Sequence, residues 1–131
     1  MTEGAWRWIG EAVALAAHEA LLAEFGGLPG IRDRNALGSA LARPRNLAGY
    51  GSPDAAALAA SYAFGLIRNH PFADGNKRVG YALALVFLLD NGCVFTGTDL
   101  ESVQTILALA AGDLTEDDVA AWFRARLSAE D

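Results

Sequence analysis

The segment His70-Pro71-Phe72-Ala73-Asp74-Gly75-Asn76-Lys77-Arg78 concentrates groups able to act on a phosphate ester within nine residues of a 131-residue chain. An imidazole titrates near neutral pH and can take the proton of an attacking hydroxyl, which makes His70 the candidate base. Asp74 is a candidate Mg²⁺ ligand, because Mg²⁺ typically takes one or two carboxylates and completes its shell with substrate oxygens. Gly75 allows an anion to approach the backbone closely. A helix beginning near Asn76 would aim its free N–H groups and the positive end of its dipole at that anion. Lys77 and Arg78 would then occupy the first helical turn, where each cation is unfavourable by ~0.3–1 kcal/mol. A multiply charged anion gives that placement a reason, since Arg grips phosphate oxygens bidentately and Lys adds a point charge. A base, a metal carboxylate and an anion cradle together fit phosphoryl or nucleotidyl transfer, where positioning and charge stabilisation dominate. Plain structural roles exist for each residue: His70 as a helix cap, Asp74 as a turn residue or N-cap, Lys77 and Arg78 as solvated charges. Phe72 is an apolar anchor pinning the loop to the core on either reading.

The elements that must position this loop read as helices separated by short breaks. A first helix is predicted over Glu3–Phe25, with Ile9, Val13, Ala16 and Ala20 at helical spacing, ended by Gly26-Gly27 and Pro29-Gly30. His18 falls on it with no acidic partner in view and reads as structural. A second, shorter helix starts at Asp33, a good N-cap, and carries Leu37 and Leu41. The stretch from Arg43 to Gly51 is the least regular, a loop or small hairpin. Ser52-Pro53-Asp54 opens a third helix, with Leu58, Tyr62, Leu66 and Asn69 on one face. His70-Pro71 should end it. A fourth helix runs from Asn76 to Asp90, apolar nearly all round and hence central and buried, and is closed by Asn91-Gly92. Thr98-x-x-Glu101 and Thr115-x-x-Asp118 read as capping boxes opening two more. The expected fold is all-α, a single domain over residues 1–131 with a buried central helix and a small flap.

Composition narrows the function. With 53% hydrophobic and 20% charged residues the chain has material for a core and is not a disordered segment. A formal net charge of −6 argues against direct nucleic-acid binding. The basic residues Arg32, Arg34, Arg43, Arg45, Arg68, Lys77 and Arg78 nevertheless cluster mid-chain, which suits a local anion site. Cys93 is the sole cysteine, so an intrachain disulfide is excluded, and its apolar neighbours suggest an inert thiol. No uncharged run approaches the ~18 residues of a membrane span, and Glu3 precedes any apolar stretch, so neither membrane nor signal peptide is expected and the cytoplasm is the expected location.

The loop closely resembles the signature of Fic-domain proteins, H-P-F-x-[D/E]-G-N-x-R. The resemblance extends to Gly30-Ile31-Arg32-Asp33, Leu41-Ala42-Arg43-Pro44, the run Ala59 to Gly65, and Phe87 to Gly92, covering about residues 15 to 125. Lys77 stands where adenylyl-transferring Fic proteins usually have Gly and the Doc (death-on-curing) branch has Lys. Carried over, the resemblance implies His70 as the catalytic base and Asp74 as the metal-side carboxylate. Gly75 and Asn76 would form the backbone anion hole, with the Asn76 side chain also orienting phosphate, and Lys77 and Arg78 would complete nucleotide binding. The implied substrate is ATP with Mg²⁺. The implied activity is a protein kinase moving the γ-phosphate to a hydroxyl of elongation factor Tu (EF-Tu), as the toxin of a type II toxin–antitoxin system. By position, Pro44 to Gly51, with Arg45, Asn46 and Leu47, would be the flap that docks the target backbone by β-augmentation.

Gly75 and Pro71 are shared with the Fic side of the family, which keeps a protein adenylyltransferase on the same fold as the alternative, with a non-enzymatic binding module behind it. The self-inhibitory motif [S/T]-x-x-x-E-[G/N] is not found in the sequence. Inhibition is therefore expected from an antitoxin in trans, a partly disordered segment folding into a groove.

Overall fold

The structure is a computed structural model that describes residues 6–129. Six helices follow in order: α1 (Glu11–Phe25), α2 (Arg34–Tyr50), α3 (Ala55–Asn69), α4 (Asn76–Asp90), α5 (Asp99–Ala111) and α6 (Glu116–Arg124). The all-α class holds, with one small addition. Strand β1 (Cys93–Phe95) pairs antiparallel with β2 (Leu127–Ala129), aligning Val94 with Ser128.

The helix in the middle is α3, not the expected α4. Ten of its fifteen residues are buried, and α2, α4 and α6 pack around it. Small residues make this possible. A Cβ on Gly65 would lie 3.3 Å from the Ala40 Cα of α2, and one on Gly80 of α4 would lie 3.0 Å from the Ile67 side chain. Tyr62, Leu58, Leu66 and Ile67 fill the spaces between, all fully buried. Helix α4 buries Val79, Leu83 and Phe87 but exposes Leu89, so its apolar composition overstates its burial.

Helix starts follow local chemistry. Asp33 accepts the Ala36 N–H, and Asp54 accepts the Ala57 N–H two residues beyond the expected Ser52 start. Both capping boxes form, at Thr98/Glu101 and Thr115/Asp118.

Two further expectations are corrected. Helix α1 begins at Glu11, not near Glu3, which lies outside the described residues. Residues 6–10 instead run extended across the core. Ile9 N–H donates to the Tyr62 hydroxyl at 2.9 Å, Arg7 exchanges two hydrogen bonds with the Asn91 side chain, and Trp6 and Trp8 both pack on Phe87. The segment from Arg43 to Gly51 is no loop or hairpin, because α2 continues through Pro44 to Tyr50. A proline inside a helix costs roughly 3 kcal/mol. Here Pro44 is buried in the core, and Arg43 lies over the Phe64 ring while pairing with Glu116, so tertiary packing offsets the local penalty.

No helix of the structure is long and apolar enough to cross a membrane. Cys93 is half-buried and unpaired, with burial, and then the Asp54 charge, raising its thiol pKa, as an inert thiol requires.

Candidate active site

The site is built on the turn between α3 and α4, and the turn is conformationally demanding. His70 ends α3 at φ 48°, ψ 55°, the one residue other than glycine with positive φ among the described residues. Such a conformation costs on the order of 1–3 kcal/mol and persists only when its surroundings enforce it. The segment after α1 does so. Arg32 donates from Nε to the His70 carbonyl at 2.6 Å and from Nη2 to the Asn69 carbonyl at 2.8 Å. The Pro71 carbonyl accepts the Arg32 and Asp33 amides, Ala73 N–H donates to Gly30 O, and Ile31 bridges to Phe72.

Inside the loop, Asn76 acts as an internal clamp. Its Oδ1 accepts the Phe72 amide at 3.0 Å, which fixes the orientation of the carboxamide. Its Nδ2 donates to the Phe72 carbonyl at 3.0 Å and to His70 Nδ1 at 3.2 Å. Both amide hydrogens are thus engaged, and the expected side-chain contact of Asn76 to phosphate does not fit this arrangement. Its backbone N–H, at the open start of α4, is the group left to an anion. Because Nδ1 accepts, the neutral His70 ring carries its proton on Nε2. An imidazolium has no acceptor, so His70 releases Asn76 on taking up a proton.

Phe72 is buried, as its anchoring role requires, and its ring lies parallel to that of His18 with centroids 3.8 Å apart. Asp74 is exposed at the loop's outer edge. Its Oδ1 accepts the Gly75 amide at 2.8 Å and its Oδ2 the Leu28 amide at 3.2 Å. The Leu28 and then the Gly75 N–H hold its carboxyl below the usual carboxylate range, against the opposing effect of desolvation. It is a charged group with lone pairs to spare. Among the described residues no cluster of three or more His, Cys, Asp or Glu could hold a metal by itself. Only a metal that takes most of its ligands from substrate fits here, and Mg²⁺ on one carboxylate and phosphate oxygens is of that kind.

Gly75 sits at φ 79° as the N-cap of α4 and contributes no side-chain cap. The first-turn N–H groups of α4 therefore point outward beside Lys77 and Arg78, both exposed and neither in an ion pair among the described residues. The Arg78 guanidinium lies 4.7 Å from the centre of the Phe25 ring at the end of α1.

Two cavities share this wall. A cleft of about 610 Å³ is lined by Asp74 through Arg78 and by Tyr81 of α4 on one side and by Ser102 and Val103 of α5 on the other. That volume suits a small-molecule ligand of nucleotide size. A pocket of about 140 Å³ is lined by His70, Ala73 and the shared residues Asp74 to Lys77. The geometry puts an imidazole on one side of a wall that carries two cations and an uncapped helix start, and a ligand-sized cleft on the other.

Six residues expected to do chemistry, His70, Asp74, Gly75, Asn76, Lys77 and Arg78, are thereby brought together with the anchor Phe72. Arg45, Asn46 and Leu47 are not. They lie exposed on α2, line neither cavity, and belong to a helix whose internal hydrogen bonding leaves no free edge for β-augmentation. The residues that sequence reasoning missed are His18, Gly27, Leu28 and Arg32. Gly27 carried the one readable signal, a glycine run, and a Cβ there would stand 2.8 Å from Asp74 Oδ2.

Comparison with known proteins identifies the family. Residues 8–88 match the Fic/DOC family. The chain is 32% identical over 108 residues to "Protein kinase doc" of Escherichia phage P1, covering 81% of this chain and 84% of that protein. It is 35% identical over 102 residues to "Toxin Doc" of Mycolicibacterium smegmatis, covering 74% of this chain and 78% of that one. The family match runs across the motif loop and the helices on both sides of it, and the chain belongs to the Fic/Doc family.

Proposed function

We propose that the protein is a Doc-type protein kinase that moves the γ-phosphate of ATP to a hydroxyl of elongation factor Tu, and so acts as the toxin of a type II toxin–antitoxin pair. The observation that carries this reading is the start of α4, where an uncapped helix end and the unpaired Lys77 and Arg78 face a nucleotide-sized cleft with His70 across the same wall. The Lys at position 77 and the kinase and toxin names of the two relatives support the Doc branch over the adenylyl-transferring one.

In the proposed reaction the target hydroxyl enters beside His70, which takes its proton and releases Asn76. The hydroxyl oxygen bonds to the γ-phosphorus as the bond from that phosphorus to the β–γ bridging oxygen breaks, and ADP leaves. The outward N–H groups of Asn76 and Lys77, with the Lys77 and Arg78 side chains, hold the phosphate oxygens. Asp74 is the residue that would hold Mg²⁺, which lowers the charge on the phosphates when bound. The toxin reading adds a partner, an antitoxin supplied in trans, and places the protein in the cytoplasm with its target, with no membrane or nucleic-acid partner.

Incubation with elongation factor Tu and ATP labelled at either the α or the γ phosphate tests the proposal. Label should pass to the target from the γ position only, and His70→Ala should reduce the transfer by about 10²–10⁴-fold. Label passing from the α position only makes the protein an adenylyltransferase. No transfer from either position, with growth arrest unaffected by His70→Ala, makes it a binding module.

A further inference from the structure

His18 sits midway along α1, 56 residues before the loop it touches, and it is nearly fully buried, at 5% exposure. Its Nε2 lies 2.8 Å from the Asp74 carbonyl oxygen. A carbonyl only accepts, so Nε2 carries a proton and donates. The same ring covers Phe72, with an interplanar angle of 10°. One side chain thus grips the loop at two points that flank Ala73. The Asp74–Gly75 peptide, whose carbonyl His18 holds, is the unit that aims both the Asp74 carboxylate and the first free amides of α4.

Nothing else in the described structure bonds to that carbonyl. The Leu28 and Gly75 amides hold the Asp74 carboxylate, and Gly30 holds the Ala73 amide, but the peptide following Asp74 is anchored by His18. Without His18 the N–H end of this peptide is tied only to the Asp74 carboxylate, itself held by the single Leu28 amide. With Gly75 at φ 79° and no side-chain cap beyond it, the peptide and carboxylate can turn together. Rotation would turn the phosphate-facing groups while leaving the core intact.

We propose that His18 is a positioning residue for the phosphate-transfer site, its Nε2–H fixing the Asp74–Gly75 peptide and its ring fixing Phe72. The proposal rests on the reading of this loop as a phosphate-transfer site. It differs from a merely space-filling core histidine in one respect, because the N–H donor is what matters to catalysis, over and above the ring.

Two variants separate donor from ring. His18→Phe keeps an aromatic face for Phe72 and deletes the donor, whereas His18→Gln keeps an N–H at similar reach and deletes the ring. The phenylalanine variant should fold, keep the KM for the protein target, and lose about 10–100-fold in kcat, in line with a misplacement of order 1 Å. The glutamine variant should return kcat to within about fivefold of wild type. A phenylalanine variant with wild-type kcat, or a glutamine variant as impaired as the phenylalanine one, overturns the proposal. Should the phenylalanine variant not fold, the glutamine variant decides alone, by the same fivefold criterion.

Amide hydrogen exchange of the full chain gives a readout independent of activity. In His18→Phe the bonded amides of Phe72, Ala73 and Gly75 should exchange at least about tenfold faster, while those of α3 keep their wild-type rates. Unchanged exchange at all three loop amides overturns the role of His18 even if the wild-type protein transfers no phosphate. Absence of transfer by wild type, with the loop exchange altered as expected, overturns instead the reading of the site.

Discussion

At the start of α6, Thr115 accepts the Asp118 amide, Asp118 accepts the Thr115 amide, and Glu116, Asp117 and Asp118 fill the first turn. At the start of α4, Gly75 contributes no side chain, no acid stands in the first turn, and Lys77 and Arg78 take the places where α6 has carboxylates. Each device at α6 stabilises a helix end, through satisfied amides and a charge complementary to the dipole. Each is missing at α4. Two other helix starts isolate what is unusual there. Helix α1 also starts on an uncapped glycine, but Glu11 balances its dipole. Helix α2 also has an arginine in its first turn, but Asp33 caps it and Arg34 pairs with Glu11. Only at α4 are the amides, the dipole and two cations left together without a side-chain cap or an ion-pair partner among the described residues, the arrangement that a bound phosphate would complete.

The largest effect should come from making α4 begin as α6 does. Lys77→Glu with Arg78→Glu should reduce phosphate transfer by about 10³-fold or more, since charge-assisted contacts are worth roughly 1.5–3 kcal/mol each. Stability should stay level or rise. Each removed cation relieves about 0.3–1 kcal/mol of unfavourable dipole interaction, and loss of the Arg78–Phe25 contact returns about 0.5–1 kcal/mol. Urea unfolding beside the transfer assay checks the pair of effects. A variant that loses stability in proportion to activity would show that Lys77 and Arg78 are structural and would end the comparison.

The reverse edit should be silent in function. Thr115→Ala removes the α6 cap and should cost about 1 kcal/mol of stability by urea unfolding. Transfer at a temperature where the variant is folded should match wild type, because α6 contributes to neither cavity. A tenfold fall in transfer would mean that α6 is coupled to the site.

These helix starts also show what was legible in the sequence. The reactive residues of the loop lie within nine positions, and the caps at Asp33, Thr98 and Thr115 act on amides three residues away, so local reasoning reached them. Long-range packing was out of its reach. The break expected at Pro44 is overridden by contacts of α2 with α3 and α6, and with it went the flap expected at Arg45, Asn46 and Leu47. Residues 6–10 run extended because Tyr62 and Asn91 bond to them from far along the chain. The β1–β2 pair joins segments of three residues each, too short for any alternation to show. His18 read only as a structural histidine, since its partners Phe72 and Asp74 are distant in sequence and the contact to Asp74 is with a backbone carbonyl.

The smallest effect is a titration at the α5 cap. Glu101 accepts the Thr98 N–H and also faces Arg126 and the Trp122 indole N–H. Led by the Thr98 bond, these interactions hold its carboxyl down to about 2, against an ordinary 4.5. A carboxyl depressed on folding contributes its stabilisation in full above the unfolded value and loses it as pH falls towards the folded one. Glu101→Gln keeps an oxygen for the Thr98 amide but carries no charge. The melting temperature of wild type should therefore exceed that of the variant at pH 6, with the gap closing between about 4.5 and 2. Calorimetric scans over that range test it, and a gap independent of pH would mean that the cap works through its hydrogen bond alone. Asp74 beside α4 is depressed too, and by the same kind of interaction, two backbone amides. At α5 the Glu101 carboxylate is taken up by the Thr98 amide, the Trp122 indole N–H and Arg126, whereas Asp74 lies open on the cleft. Magnesium with ATP should therefore raise the melting temperature of wild type more than that of Asp74→Asn, and should raise that of Glu101→Gln as much as that of wild type.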